Sequence, residues 1–278
     1  MTIAEFVPIV LVTSFAAGFL GSLTGLGGGV VVTPVLTLSL GVDLRYAIGA
    51  SLVSVIATSS GAAAAYVRDG LSNIRIGMFL EIATTFGALV GAYLGTHIPT
   101  SILSIVFGVI LLQAAWQSSH SYKDSRKLLP PDPLAKMLIL NGSYQGRQGR
   151  KAYQVYRVKL GFCLMFAAGI LSGLLGIGSG SLKVIAMDQA MQLPFKVSTA
   201  TSNFMIGVTA AASASVYLSR GYVNPGIAMP VMLGVLAGSL VGARLLSGAP
   251  VLVLRRLFAI VVGVIAIEMI WNGIEGRI

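Results

Sequence analysis

A chain of 278 residues that is 55% hydrophobic and only 10% charged, with a mean hydropathy of +0.87, carries too few charges to cover a soluble surface and enough apolar length for many membrane spans. Its single cysteine, Cys163, excludes an intrachain disulfide framework and a cysteine-rich metal site. The net charge of +10 reads as basic loops on one side of a membrane and not as a nucleic-acid surface, because no basic helix with interleaved aromatic residues forms a recognisable module.

The opening MTIAEFVPIVLV has no basic stretch before its apolar run and no small-residue cleavage site, so it reads as a first helix and not as a removed signal peptide. Apolar runs then fall at about 6–24, 30–41, 46–67, 76–96 and 100–117, and again at about 160–175, 181–193, 197–218, 226–247 and 251–272. The second run of each set is short. About 12 residues of helix cover roughly 18 Å of a hydrocarbon core about 30 Å thick. Gly27–Gly28–Gly29 and Gly178–Ser179–Gly180 separate each short run from the helix before it, since glycine is a poor helix former. Each pair of runs therefore reads as a re-entrant hairpin, a long arm and then a short one, entering and leaving on one side.

The two sets are copies. At a constant offset of 151 positions (Gly25 with Gly176), Gly27 and Gly29 align with Gly178 and Gly180, Tyr66 with Tyr217, Asn73 with Asn224 and Pro99 with Pro250. A hairpin followed by three full spans crosses the membrane an odd number of times, so the two copies have opposite orientation. That arrangement puts fifteen of the nineteen Lys and Arg residues on one side, leaves Arg45, Arg220 and Arg277 on the other, and keeps Lys183 inside the membrane. Reading each hairpin as one broken spanning helix divides the loop charges thirteen to five, so the positive-inside bias favours the inverted arrangement.

The expected architecture is all-α and membrane-integral: repeats over 6–117 and 160–272, each a re-entrant or broken helical hairpin plus three spanning helices, joined by a basic cytoplasmic linker over 118–159. Both termini are expected outside. Within the linker, Leu129–Pro130–Pro131–Asp132–Pro133 breaks helix, and the runs Met137–Tyr144 and Ala152–Val158 around a glycine-containing turn predict a small β-hairpin.

Small residues at four-residue spacing, Gly87, Gly91 and Gly95 with Gly238 and Gly242, are explained by close helix packing. The tip glycines differ in kind, because a break inside the membrane exposes backbone N–H groups that need a partner, and an anion supplies one. Gly27, Gly28, Gly29, Gly178, Ser179 and Gly180 are thus candidate substrate-binding positions, against the alternative that they let hairpin tips cross closely. Lys183 is a mid-membrane cation, and such a residue faces a partner or a cavity. It reads either as the substrate's counter-charge or as half of an ion pair. Asp188, five residues on, is turned away from it on a helix. On the first of these readings, removing the charge weakens anion binding and leaves the empty protein no less stable.

Ser51, Thr201, Ser202 and Asn203 could hydrogen-bond an anion or neighbouring helices, and Glu81 and Asp188 are candidates for carrying a proton. Glu81 faces Met232 in the repeat, so the halves are not equivalent. Enzyme chemistry finds no support: the glycine clusters are not Walker A sequences, and the two histidines, His97 and His120, lie at a helix end and in the linker. No metal or cofactor site is expected.

Four segments carry a family resemblance: GLGGGVVVTPVL at Gly25–Leu36, LLGIGSGSLKV at Leu174–Val184, KVSTATSNFMIGVTAAASASVYLSRG at Lys196–Gly221 and PVMLGVLAGSLVGA at Pro230–Ala243. They resemble the TauE/SafE family of anion permeases, the sulfite exporter or toluene-sulfonate-uptake permeases, over about residues 10–272. The resemblance implies secondary transport of small sulfur-containing or carboxylate anions, such as sulfite, sulfonates or sulfoacetate, across a bacterial or archaeal inner membrane. The family's second hairpin usually has a full glycine triplet and a following proline, where this chain has Ser179 and Ile185. The expectation is a carrier whose anion binds between the hairpin tips near the midplane. An anion channel, or a membrane scaffold or sensor without transport, is the alternative. The partners expected are a small anion and the lipid bilayer, with a homodimer left open.

Overall fold

The computed structural model describes residues 3–24, 29–68, 72–119, 132–146, 149–246 and 251–277. The helices of the first half are α1 (Ile3–Thr24), α2 (Gly29–Leu40), α3 (Leu44–Arg68), α4 (Ile74–Gly95) and α5 (Thr100–Ser119). A linker holds α6 (Pro133–Met137) and strands β1 (Gly142–Gly146) and β2 (Gly149–Tyr153). The second half has α7 (Val158–Leu175), α8 (Gly180–Ile185) running into a π-helical turn (Ala186–Ala190), α9 (Phe195–Ser219), α10 (Pro225–Leu246) and α11 (Val251–Glu275). Each predicted apolar run becomes a helix within a few residues of its expected bounds.

Four helical segments among the described residues, Ile74–Gly95, Thr100–Gln117, Val158–Leu175 and Pro225–Gly242, are long and apolar enough to cross a membrane. The chain is thus a multi-pass, mostly helical membrane protein with one small two-stranded sheet among the described residues. Helices α3 and α9 are as long as any, but bring buried Ser51, Ser54, Ser198, Thr201, Ser202, Thr209 and Ser213 into the interior.

Close glycine contacts fix which helices pair. Along α4 and α7, a Cβ on Gly87 would lie 2.2 Å from Phe166 O, one on Gly91 2.0 Å from Ile170 O, and one on Gly173 2.1 Å from Ala88 O. Contact moves up both helices together, so α4 and α7 run parallel. Helices α1 and α10 make the same pair, with Gly234 against Leu11 O and Gly238 against Phe15 O. At these positions any side chain would push two backbones apart, which is why small residues recur every fourth position. At the centre α3 and α9 run antiparallel: Tyr46 stacks edge-on against Tyr222 with centroids 5.6 Å apart, and further along Ser59 faces Gly207. Helices α5 and α11 are also antiparallel, with Ser104 Oγ donating to Met269 O at 2.6 Å and Gly273 against Ser101 O.

The second hairpin enters and leaves at one end. Its long arm α7 reaches Leu174, whose carbonyl accepts from Tyr217 Oη at 3.2 Å. The chain then reverses, and by Met191 it is back against Gly161, with Tyr156 N–H donating to Met191 O at 3.1 Å.

The β-hairpin exists, but with other bounds than predicted. Its strands pair from Gly142↔Tyr153 to Gly146↔Gly149. Met137 instead ends α6, which Asp132 caps through Leu134 N–H at 2.9 Å, with Pro133 at the first helical position. The other Asp132 oxygen accepts from Val158 N–H at 2.8 Å and so also anchors the start of α7. Val155 N–H goes to Asn141 Oδ1 and Tyr156 N–H to Met191 O, which ends the second strand at Tyr153.

Candidate functional site at the hairpin tips

Gly29, at the start of α2, and the second tip meet against the α3–α9 crossing, and two repeat-related serines hold them there. Ser51 Oγ lies 3.1 Å from Gly29 O and 3.0 Å from Gly176 O, so one hydroxyl spans both hairpins. Its counterpart Ser202 donates to Gly180 O at 3.1 Å. A Cβ on Gly29 would sit 2.4 Å from Val55 Cγ2, one on Gly178 2.8 Å from Ile206 Cγ2, and one on Gly180 2.7 Å from Ile206 Cδ1. Gly29, Gly178, Gly180, Ser51 and Ser202 are therefore brought together. The serine hydrogens, however, serve the tip carbonyls and fasten the tips.

Ser179 stands at the reversal with φ +47°, in the left-handed region that favours glycine. Its side chain is 1% exposed, and its Oγ has no hydrogen-bond partner among the described residues. Thr33 Oγ1, one turn into α2, is likewise buried without one. Buried hydroxyls are normally satisfied, and these two stand near the hairpin tips without a partner among the described residues.

Gly27 and Gly28 lie outside the described residues. Thr201 and Asn203 are drawn elsewhere: Thr201 Oγ1 accepts from Asn73 N–H at 3.0 Å near the start of α4, and Asn203 Nδ2 donates to Thr199 O at 3.1 Å on its own helix. Asp188 is half-buried in the π-helical turn.

Lys183 follows the second tip in the first turn of α8, its N–H donating to Ser179 O at 3.0 Å, and its side chain is 0% exposed. Its Nζ donates to Thr209 Oγ1 at 2.5 Å, and Thr209 Oγ1 donates to Glu81 Oε1 at 2.7 Å. Glu81, 7% exposed, also accepts from Thr84 Oγ1 at 2.9 Å and from Thr85 Oγ1 at 3.1 Å. Three threonine hydroxyls thus solvate the carboxylate, and one of them links it to the ammonium. Burying either charge alone is costly, and the chain makes both tolerable together.

Thr209, 26 residues from the lysine, lies outside the local spacing that brings Asp188 into view. The available signal was charge balance: Glu81 and Lys183 are acid and base placed well inside apolar helices, one in each half. Through Thr209, Lys183 thus has a carboxylate partner on another helix, the arrangement the ion-pair reading requires. At the far end of α9, Arg45 Nη2 donates to Ile98 O at 3.0 Å and the guanidinium sits 5.6 Å from the Tyr222 ring centroid. No cluster of His, Cys, Asp or Glu among the described residues could hold a metal ion.

This two-tipped, charge-paired interior belongs to a chain with close relatives in sequence. It is 30% identical over 276 residues to the probable membrane transporter protein YunE of Bacillus subtilis, covering 96% of this chain and 98% of that one. It is 27% identical over 248 residues to YdhB of the same organism, named likewise, covering 89% and 93%. A probable membrane transporter protein of Xylella fastidiosa is 26% identical over 266 residues, covering 93% and 91%. No solved structure matches the chain. The family described as Sulfite exporter TauE/SafE matches residues 10–269, nearly the whole chain, and the protein belongs to that family of membrane transporters.

Proposed function

We propose that the protein is a secondary carrier for small sulfur-containing or carboxylate anions, which bind beside the hairpin tips with Lys183 as counter-charge. The observation that carries this reading is a fully buried lysine one turn from a tip, where Ser179 leaves a hydroxyl unsatisfied. Membership in a family described as sulfite exporters supports the same class of substrate. Ser51 and Ser202 hold the tips, while the Ser179 and Thr33 hydroxyls, without a partner among the described residues, are the groups left to meet an anion.

Residues 6–117 and 160–272 act in this reading as two inverted repeats around linker 118–159. The antiparallel pairings of α3 with α9 and of α5 with α11, each a helix against its own repeat copy, support the inversion. Alternating access arises as the remaining helices rock against the hairpins. The linker end is cytoplasmic and both termini are outside, as the fifteen-to-three charge division favours. Cysteines introduced at the exposed positions Gln154 and Ser219, in a Cys163→Ala background, test this: an impermeant thiol reagent should label Ser219→Cys and spare Gln154→Cys in intact cells.

The transport reading is tested with the full chain in proteoliposomes, using sulfite, methanesulfonate, sulfoacetate and formate as probes. Saturable uptake with counterflow of at least one is expected. Uptake without counterflow makes the protein a channel, and no uptake of any probe removes the reading.

A further inference from the structure

We propose that Glu81 is a built-in competitor for the anion at Lys183, so that each monoanion is carried together with one proton. This rests on the carrier reading above and adds to it the coupling ion and the charge of the substrate. The geometry that motivates it is the directed chain from Lys183 Nζ to Thr209 Oγ1 to Glu81 Oε1, at 2.5 and 2.7 Å. Each donor faces an acceptor, and the carboxylate is the anion that neutralises the lysine while no substrate is bound.

Thr209 is placed to switch. Its one hydroxyl hydrogen has two acceptors in reach, Glu81 Oε1 at 2.7 Å and Met205 O at 2.9 Å. When Glu81 takes a proton on Oε1, that O–H donates to Thr209 Oγ1 and the threonine hydrogen turns to Met205 O. The carboxyl is then neutral, and Lys183 has lost its counter-charge without moving. A substrate anion at the adjoining tip replaces it. On release the sequence reverses: the anion leaves, the proton leaves Glu81, and the chain re-forms.

Charge enforces the coupling. With Glu81 ionised and no substrate the buried centre sums to zero, and with Glu81 protonated and a monoanion beside Lys183 it sums to zero again. A proton without an anion leaves one positive charge in the membrane interior, and an anion without a proton leaves one negative charge, and either is costly to move through apolar surroundings. Only the two neutral states change face easily, so a monoanion travels electroneutrally and a dianion is disfavoured.

The groups around Glu81 suit this role. Helix α4 brings Thr84 and Thr85, α9 brings Thr209 and α8 brings Lys183. Helix α7 meets α4 through Gly169 and Gly173, and the π-helical turn carries Asp188. The other charged side chains of these helices, Arg75, Lys159, Lys196 and Arg220, lie at helix ends.

The test uses methanesulfonate, whose charge stays at minus one across the working pH range, and sulfite, with the full chain in proteoliposomes and the membrane potential set by potassium and valinomycin. Wild type should accumulate the probe when the outside is more acidic, by up to about tenfold per unit of pH difference for one proton per anion. The imposed potential should leave this unchanged. In Glu81→Gln the accumulation should disappear and the pH dependence of counterflow, whatever its rate, should flatten. Thr209→Val should weaken the pH dependence and Thr209→Ser should restore it, which keeps the proposal testable should Glu81→Gln fail to fold. Accumulation in Glu81→Gln equal to wild type, or accumulation driven by potential and not by pH, overturns the proposal and leaves the carrier reading standing. No uptake of either probe, or of the sulfoacetate and formate tested above, by wild type overturns both.

Discussion

The two halves of the molecule share a frame and differ at its centre. Ser51 and Ser202 do the same work on Gly29 and Gly180, and glycines pair α1 with α10 as they pair α4 with α7. Where the second hairpin has Lys183, however, the first has Val32, which is equally buried. Where Thr209 bridges to a carboxylate, Thr58, among the described residues, bonds only the Ser54 and Val55 carbonyls of its own helix. Glu81, in turn, has Met232 as its copy. At the 151-residue offset the clamp is symmetric and its charge is not: the acid Glu81 comes from the first half and the base Lys183 from the second. A charged pair cannot arise symmetrically in so small a space without doubling the burial cost.

The largest expected effect comes from breaking the charged corner. Lys183→Met should destabilise the detergent-solubilised protein by about 3–5 kcal/mol, because Glu81 loses its counter-charge. Adding Glu81→Gln to it should return thermal stability to near that of wild type. Additive losses in this double-mutant cycle would mean that the two residues are not coupled.

Charging the uncharged corner should be nearly as damaging. Val32→Lys places an ammonium where Thr58 is committed to its own helix and Met232 offers no carboxylate, so a loss of about 3 kcal/mol or more is expected on thermal unfolding. Adding Met232→Glu should recover part of it, since Thr58 stands where Thr209 does in the other half. If Val32→Lys is tolerated alone, the two corners differ less than the contacts indicate.

The threonines separate the halves more gently. Thr209→Val should cost about 1–3 kcal/mol by leaving charged partners without their bridge, while Thr58→Val should cost less than about 1 kcal/mol. Equal losses would place the importance of this position in packing alone.

At the tips the ordering reverses. An alanine methyl at Gly29 meets the branched Val55 at 2.4 Å and Ser51 Oγ at 2.9 Å, whereas at Gly180 its one close contact is the mobile end of Ile206 at 2.7 Å, with Ser202 Oγ at 3.8 Å. Gly29→Ala should therefore cost about 1–3 kcal/mol and Gly180→Ala distinctly less, read as melting temperatures.

Much of this frame was legible in the sequence, because it rests on periodic signals. Helix lengths, the short second arm and the four-residue glycine rows are local patterns, the repeat offset shows as a constant register, and α2 and the α8–π turn are half length as the apolar runs implied. The linker strands were misplaced because Asp132 and Pro133 nucleate a helix that takes up Met137, and because Val155 and Tyr156 find partners outside the sheet. The pairing of Lys183 with Thr209 and Glu81 joins residues 26 and 128 positions from the threonine, on three helices, and no spacing rule reaches that far. Thr201 shows the converse. By sequence it could meet an anion or a neighbouring helix; it accepts from Asn73 N–H near the start of α4, one position away from the serine that fastens a tip.

The most direct test of the carrier site compares anion-induced thermal stabilisation in wild type and in the Lys183→Met, Glu81→Gln double variant, with sulfite and methanesulfonate as probes. The double variant removes both buried charges at once and should unfold close to the wild-type temperature. In wild type at acidic pH, at least one anion should raise the melting temperature in a saturable way, and in the double variant that shift should vanish. A double variant that folds and keeps the full shift would place anion binding away from Lys183 and contradict the site described here.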